Sequence, residues 1–219
     1  MKQSVVAQNQ SNWYAPHAYI RTDSYVLLAA LLTDTPSENV IELVQNLGWG
    51  EDLPERMNQA LAALNHAGTS CSLNTIAEEY HRLFVGLGHG ELLPYGSWYL
   101  EKMIQSTPLA AIRKDLTRQG IVRQTDSYEP EDHAGALCEI MALLSYPGNE
   151  ISDHEQAAFF NQHLSTWMPQ FFMDLQTVKK SQFYRVVGEF GRCFIEGEIE
   201  YLQYLSCVDK LVLPEISDG

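Results

Sequence analysis

The residues best equipped for chemistry lie in "YEPEDHAGALCEIMALL", Tyr128 to Leu144, where Glu129, Pro130, Glu131, Asp132 and His133 follow one another. Three carboxylates and an imidazole so close together fit an acid–base pair, a metal site or the start of a helix. The helix reading accounts for the acids. Pro130 suits the first helical position, because the N–H it lacks would have no partner there. Glu129, Glu131 and Asp132 favour the positive end of the helix dipole, whereas a protonated His133 is disfavoured at that end. As metal ligands, Asp132 and His133 are adjacent and diverge by about 100° on a helix, while two ligands on one face need a spacing of three or four. His81 and His89 span a helix end with no H-E-x-x-H pattern. Around Ser97 the stretch is "PYGSWY", which lacks the G-x-S-x-G nucleophile elbow. Neither a phosphate-binding loop nor a dinucleotide fingerprint occurs. The expectation is a protein without catalytic residues or a metal site.

The elements that must position this segment read as helices. Residues 17 to 33 place Tyr25, Leu28, Ala29 and Leu32 on one face, with Pro36 just beyond. Ser37 caps a second helix carrying Val40, Ile41, Val44 and Leu47, stopped at Gly48. A third has Pro54 in its first turn and is closed by Gly68. A fourth, from Leu73, presents Ile76, Tyr80, Leu83, Phe84 and Leu87 as one stripe. It breaks into "GLGHGELLPYGSW", Gly86 to Trp98, a loop whose Leu92, Leu93, Tyr95 and Trp98 call for packing. Further helices are expected at 98–104, 109–119, 131–146, 153–166, 169–178 and 182–206, with a frayed tail from Leu213. No alternating strand with a hairpin turn is found. The fold class is all-α, a bundle of nine to ten helices. The polar stretch Gly120 to Pro130 reads as a hinge between two helical subdomains. On this reading 1–16 is a flexible tail, 17–128 an N-terminal helical part and 129–219 a C-terminal part of the same domain. A homodimer formed by swapping about the hinge is a further expectation.

Composition narrows the function classes. With 45% apolar and 11% aromatic residues in 219, the chain can bury a sizeable core. Its net charge of -14, from 28 acidic and 14 basic residues, repels nucleic-acid phosphates and anionic lipid and attracts basic peptides. Cys71, Cys138, Cys193 and Cys207 are scattered and read as reduced thiols. The N-terminus lacks a secretory h-region, and "YVLLAALL", Tyr25 to Leu32, is too short to span a bilayer. A cytoplasmic location without membrane insertion is expected.

Two blocks resemble the TorD/DmsD family of maturation chaperones for exported molybdoenzymes. One is "EYHRLFVGLGHGELLPYGSWYLE", Glu79 to Glu101, and the other "EPEDHAGALCEIM", Glu129 to Met141, similar to that family's E-P-x-D-H signature. The stretch Phe159 to Phe190 adds His-Leu, then Trp-x-Pro, then Phe-Tyr before the last helix. Where the family often has Pro-Pro-Trp, this chain has Leu93-Pro94-Tyr95, and the tail to Pro16 has no counterpart. The resemblance implies binding rather than turnover. The partners would be the twin-arginine signal peptide and the apo form of a molybdoenzyme, held until its cofactor is inserted. Contact with guanine nucleotide or molybdopterin is at most a family-level trait, and no cofactor is expected. The motifs are shared by chaperones of trimethylamine N-oxide reductase, dimethyl sulfoxide reductase and formate dehydrogenase, so they do not select a client. The implied peptide-binding residues are Tyr80, Leu83, Phe84, Gly86, Pro94, Tyr95, Trp98, Asp132 and His133, with Glu129 and Pro130 starting the helix. By spacing alone, Tyr80, Leu83 and Phe84 serve equally as core, and Asp132 equally as a capping charge. The rival functions are an assembly factor that grips only the mature client, or a nucleotide-dependent helical enzyme.

Overall fold

A computed structural model describes residues 18–48, 50–51, 53–86, 90–102, 107–121 and 129–212. Ten α-helices follow in order among the described residues. They are α1 (Ala18–Leu32), α2 (Glu38–Gln45), α3 (Glu55–Ser70), α4 (Leu73–Tyr80), α5 (Gly96–Glu101), α6 (Thr107–Arg118), α7 (Ala134–Leu144), α8 (Asp153–His163), α9 (Met168–Thr177) and α10 (Phe183–Val212). A π-helical turn, His81–Val85, extends α4. No strand forms among these residues, only two isolated bridges.

Helix starts follow local chemistry. Ser37, Ser72 and Ser152 each accept a backbone N–H in the first turn of α2, α4 and α8, and Glu155 returns the bond to complete a capping box. The 30-residue α10, about 45 Å long, is capped from a distance. The buried Glu79 carboxylate accepts from Ser181 Oγ (2.8 Å) and from the backbone N–H groups of Gln182 (2.7 Å), Phe183 (3.1 Å) and Tyr184 (3.1 Å). One side chain thus satisfies donors that a helix start leaves orphaned, and it ties α4 to α10.

α10 runs against α9, α3 and α8, while α1 packs on α7. Gly191 admits the closest approach, since a Cβ there would overlap the Phe172 ring of α9. Tyr25, Phe160, Phe171, Phe172, Tyr184, Phe190 and Phe194 fill one continuous core. Inside it Arg21 forks onto Glu198 (2.8 and 2.9 Å) and reaches Gln156 (3.2 Å), while Tyr25 donates to Glu198 (2.8 Å). A buried guanidinium and carboxylate are tolerated only with such complete pairing. The network spans α1, α8 and α10, so sequence on both sides of residues 122–128 contributes to one core. The swapping hinge itself, the N-terminal tail, the frayed end from Leu213, His89 and Leu87 fall wholly or mostly outside the described residues.

Several boundaries differ from those read in the sequence: α2 ends at Gln45 short of Leu47, α5 lies at Gly96–Glu101 rather than 98–104, and α8 stops at His163. Gly68 does not close α3. It lies buried inside it against Val44, and the helix runs on to Ser70. Pro54 occupies the cap position rather than the first turn. The helix expected to begin at Glu131 begins at Ala134, with His133 as its cap; its cause belongs with the site. In addition, α10 extends past residue 206 to Val212.

Candidate functional site

The two signature blocks meet. Tyr95 and His133 form an antiparallel bridge, flanked by bonds from Gly96 N–H to the Asp132 carbonyl (2.9 Å) and from Ala134 N–H to the Pro94 carbonyl (2.8 Å). These backbone bonds hold residues 129–133 extended into a turn, so Pro130 and Glu131 cannot enter α7. Glu129 and Pro130 therefore stand five and four residues ahead of the helix rather than at its start.

Each side chain of the segment has a distinct use. Glu129 accepts from the Tyr95 hydroxyl (2.6 Å). Glu131 pairs with Arg113 of α6, which approaches both its oxygens (3.0 to 3.1 Å). Asp132 is wholly buried and its Oδ2 accepts from Ser97 N–H (2.9 Å), capping α5 from across the chain. His133 Nδ1 accepts from Gly135 N–H (3.1 Å). A neutral ring can do this and an imidazolium cannot. Burial holds the His133 pKa down to about 4, against the opposing pull of Glu129 and Asp132. The histidine that seemed misplaced at a positive helix end is its neutral cap.

The π-turn delivers the aromatic residues. A π-turn inserts an extra residue per turn and re-aims the side chains that follow. Its end is fixed by Gly86 N–H bonding to the His81 carbonyl (2.7 Å), with Gly86 at φ 49°, where glycine is favoured. The chain then folds back. Glu91 and Leu92 N–H groups take the Arg82 and Leu83 carbonyls (3.3 and 2.9 Å), and Gly90 rests on the Leu83 carbonyl. Leu83 is buried core, Tyr80 is 7% exposed and Phe84 is partly buried. Tyr80, Phe84 and Tyr184 form an edge-to-face cluster with centroids 5.3 to 6.0 Å apart. The Tyr80 phenol is pushed up to about 12 by burial first, then by Asp34 and Glu129. Burial, then the bond to Glu129, likewise raise that of Tyr95.

Two spaces flank the short α5. On one side a cleft of about 600 Å³ is lined by Leu92, Leu93, Trp98 and Tyr99, with Glu91 and Asp174 as carboxylates and Lys102 as a cation. Trp98 is 36% exposed, and the Lys102 ammonium sits 5.7 Å from both the Trp98 and Tyr99 ring centres. On the other side a cavity of about 180 Å³ is lined by Asp132, Glu101, Gln162, His163 and Trp167 among others. Asp132 Oδ1 is buried with no hydrogen-bond partner. Sequence reasoning missed Tyr99 and Asp174, bonded at 2.9 Å, and Glu101. The only available signal was helical spacing beside Trp98. Among the described residues no cluster of three or more His, Cys, Asp or Glu is placed to hold a metal.

Residues 50–173 match the family described as the nitrate reductase delta subunit. The chain is 30% identical over 142 residues to a protein of Haemophilus influenzae named "Probable Tat proofreading chaperone DmsD", covering 64% of this chain and 66% of that one. It is 25% identical over 192 residues to the chaperone protein TorD of Aliivibrio fischeri, covering 80% and 89%. A protein of Archaeoglobus fulgidus described as a "Putative Redox Enzyme Maturation Protein", known from a crystal structure, aligns with TM-score 0.53 over 79% of this chain and 93% of its own at 17% identity, which bears on fold alone. The chain belongs to the TorD/DmsD-type family of maturation chaperones. No helix among the described residues is long and apolar enough to cross a membrane.

Proposed function

We propose that this protein is a cytoplasmic chaperone that binds the twin-arginine signal peptide and apo form of an exported molybdoenzyme, and holds both until cofactor insertion. The names of its relatives support the class of activity. The observation that carries the peptide reading is Asp132, a fully buried carboxylate with one oxygen bound to Ser97 N–H and the other unpartnered beside a cavity. Leaving a charged acceptor unsatisfied costs on the order of 1–3 kcal/mol, a cost recovered when a donor-rich cation enters. A guanidinium supplies five donors in a planar fork, and Glu101 offers a second carboxylate in the same cavity.

The remainder of a leader is moderately apolar, and the cleft beyond α5 matches it with Leu92, Leu93 and Trp98. There Lys102 already occupies the aromatic faces as a cation would, so a second arginine can take its place. In this reading Trp98 and Tyr95 touch the peptide. Tyr80, Leu83, Phe84, Gly86 and Pro94 shape the loop that presents them, and His133 fixes the turn that positions Asp132. Asp132→Asn tests it. The amide keeps an oxygen for Ser97 N–H and removes the charge. Leader affinity is expected to fall at least about tenfold, or roughly 1.4 kcal/mol, with the melting temperature little changed. Equal affinity for both proteins rules out Asp132 as the arginine seat.

A further inference from the structure

The longest apolar run of the sequence, "YVLLAALL", is mostly core, with Leu27 and Ala29 buried as well, but it leaves one side chain out. In α1, Tyr25, Leu28, Leu31 and Leu32 are buried, while Val26 on another face is 52% exposed. Leu43 of α2 is 55% exposed. These two side chains stand at a groove of about 910 Å³ between α1, α2 and α3, with Val40 and Met57 further along its walls. Its lining shares no residue with the cleft or the cavity that flank α5. Val26 and Leu43 thus leave exposed apolar surface at a groove that other apolar side chains line.

Charge identifies the occupant. Asp23 and Glu42 line the groove, and among the described residues no lysine, arginine or histidine does. The whole chain carries -14. A second copy of this protein would bring two more carboxylates against the same apolar patch, which like-charge repulsion opposes. We propose that the groove is a second docking surface that takes an amphipathic helix of a partner protein, its apolar face inward and lysine or arginine along its edges. α2 is eight residues long, about 12 Å, so it supports roughly two turns of such a helix, read as anchors at i, i+3, i+4 and i+7. A client would then be gripped at two separate places, its leader beside α5 and a basic amphipathic helix between α1 and α2.

The probe is a fluorescein-labelled peptide of about five helical turns, with leucine and alanine on one face and lysine along both edges. Binding is followed by anisotropy with the full chain. Leu43→Glu and Val26→Glu alter exposed positions and keep the helical circular dichroism of the parent. Each is expected to weaken the peptide at least about tenfold, and Asp23→Asn with Glu42→Gln to weaken it most at low salt. Trp98→Ala leaves it unchanged, so failure here and failure of the leader reading are separately visible. The proposal is overturned if Leu43→Glu binds as the parent does, or if a peptide with glutamate for lysine binds equally well. It is also overturned if the chain itself doubles in mass with concentration and Leu43→Glu abolishes the doubling.

Discussion

At the scale of single residues, the segment 129–133 resolves into side chains with separate tasks, and His133 carries a consequence for acid stability. An unfolded chain protonates this ring near pH 6.5, whereas the folded one keeps it neutral down to about 4. Stability due to the neutral ring is therefore full above pH 6.5 and is lost as pH falls through about 4. The slope approaches about 1.4 kcal/mol per pH unit in that window. His133→Asn retains a capping acceptor and removes the proton, so thermal melts at successive pH values should show a flatter acid limb. His163 is also pushed down by burial, opposed by its bond to Asp115, and titrates equally in both proteins. An unchanged slope in His133→Asn would exonerate His133. Asp132 makes a complementary case. Asp132→Ala strands Ser97 N–H and should cost about 1–3 kcal/mol, while Asp132→Asn should not. If the two variants melt alike, the trans-cap of α5 is not a significant contributor.

At the scale of elements, the decisive contacts are those that fasten one helix to the start of another. Glu79 is the strongest, because four donors at and just before the start of α10 converge on one buried carboxylate. Glu79→Ala should destabilise the protein by on the order of 3 kcal/mol, measured by denaturant midpoint, and Glu79→Gln by less. Gly191→Ala should be destabilising by overpacking against Phe172. Helix existence was legible in the sequence because apolar spacing and serine caps are local signals. The stripe Ile76, Tyr80, Leu83 showed α4, and Ser37 showed α2. What periodicity cannot register is an extra residue in a turn, so the π-turn at His81–Val85 stayed hidden. The same limit explains α7. Glu129 to Asp132 have the composition of a helix start, yet the turn closed by His133 N–H on the Pro130 carbonyl, and the pairing of Asp132 and Ala134 with Gly96 and Pro94, keep them out of the helix. The two blocks that meet were singled out through family resemblance. Their pairing, and the use of Tyr99, Glu101 and Asp174, arise only when distant chain segments meet.

At the scale of the whole molecule, one core joins sequence before and after residues 122–128, and the buried Arg21–Glu198 pair sits where α1, α8 and α10 converge. Removing one partner leaves an uncompensated charge. Arg21→Met or Glu198→Leu alone should cost about 3–5 kcal/mol, and the double variant distinctly less than their sum. Additive losses in a double-mutant cycle would show that the pair is not coupled. In the proposed function, the molecule's acidity and its aromatic cleft take a basic, partly apolar peptide as partner. That is the central claim, and calorimetric titration with a twin-arginine leader peptide, against the same peptide carrying two lysines, tests it most directly. A leader that binds with micromolar or tighter affinity and weakens on the lysine change, whose point charge cannot fork onto a carboxylate, is the expected result. Equal affinity for the two peptides, or heat indistinguishable from dilution with every leader tried, would contradict it.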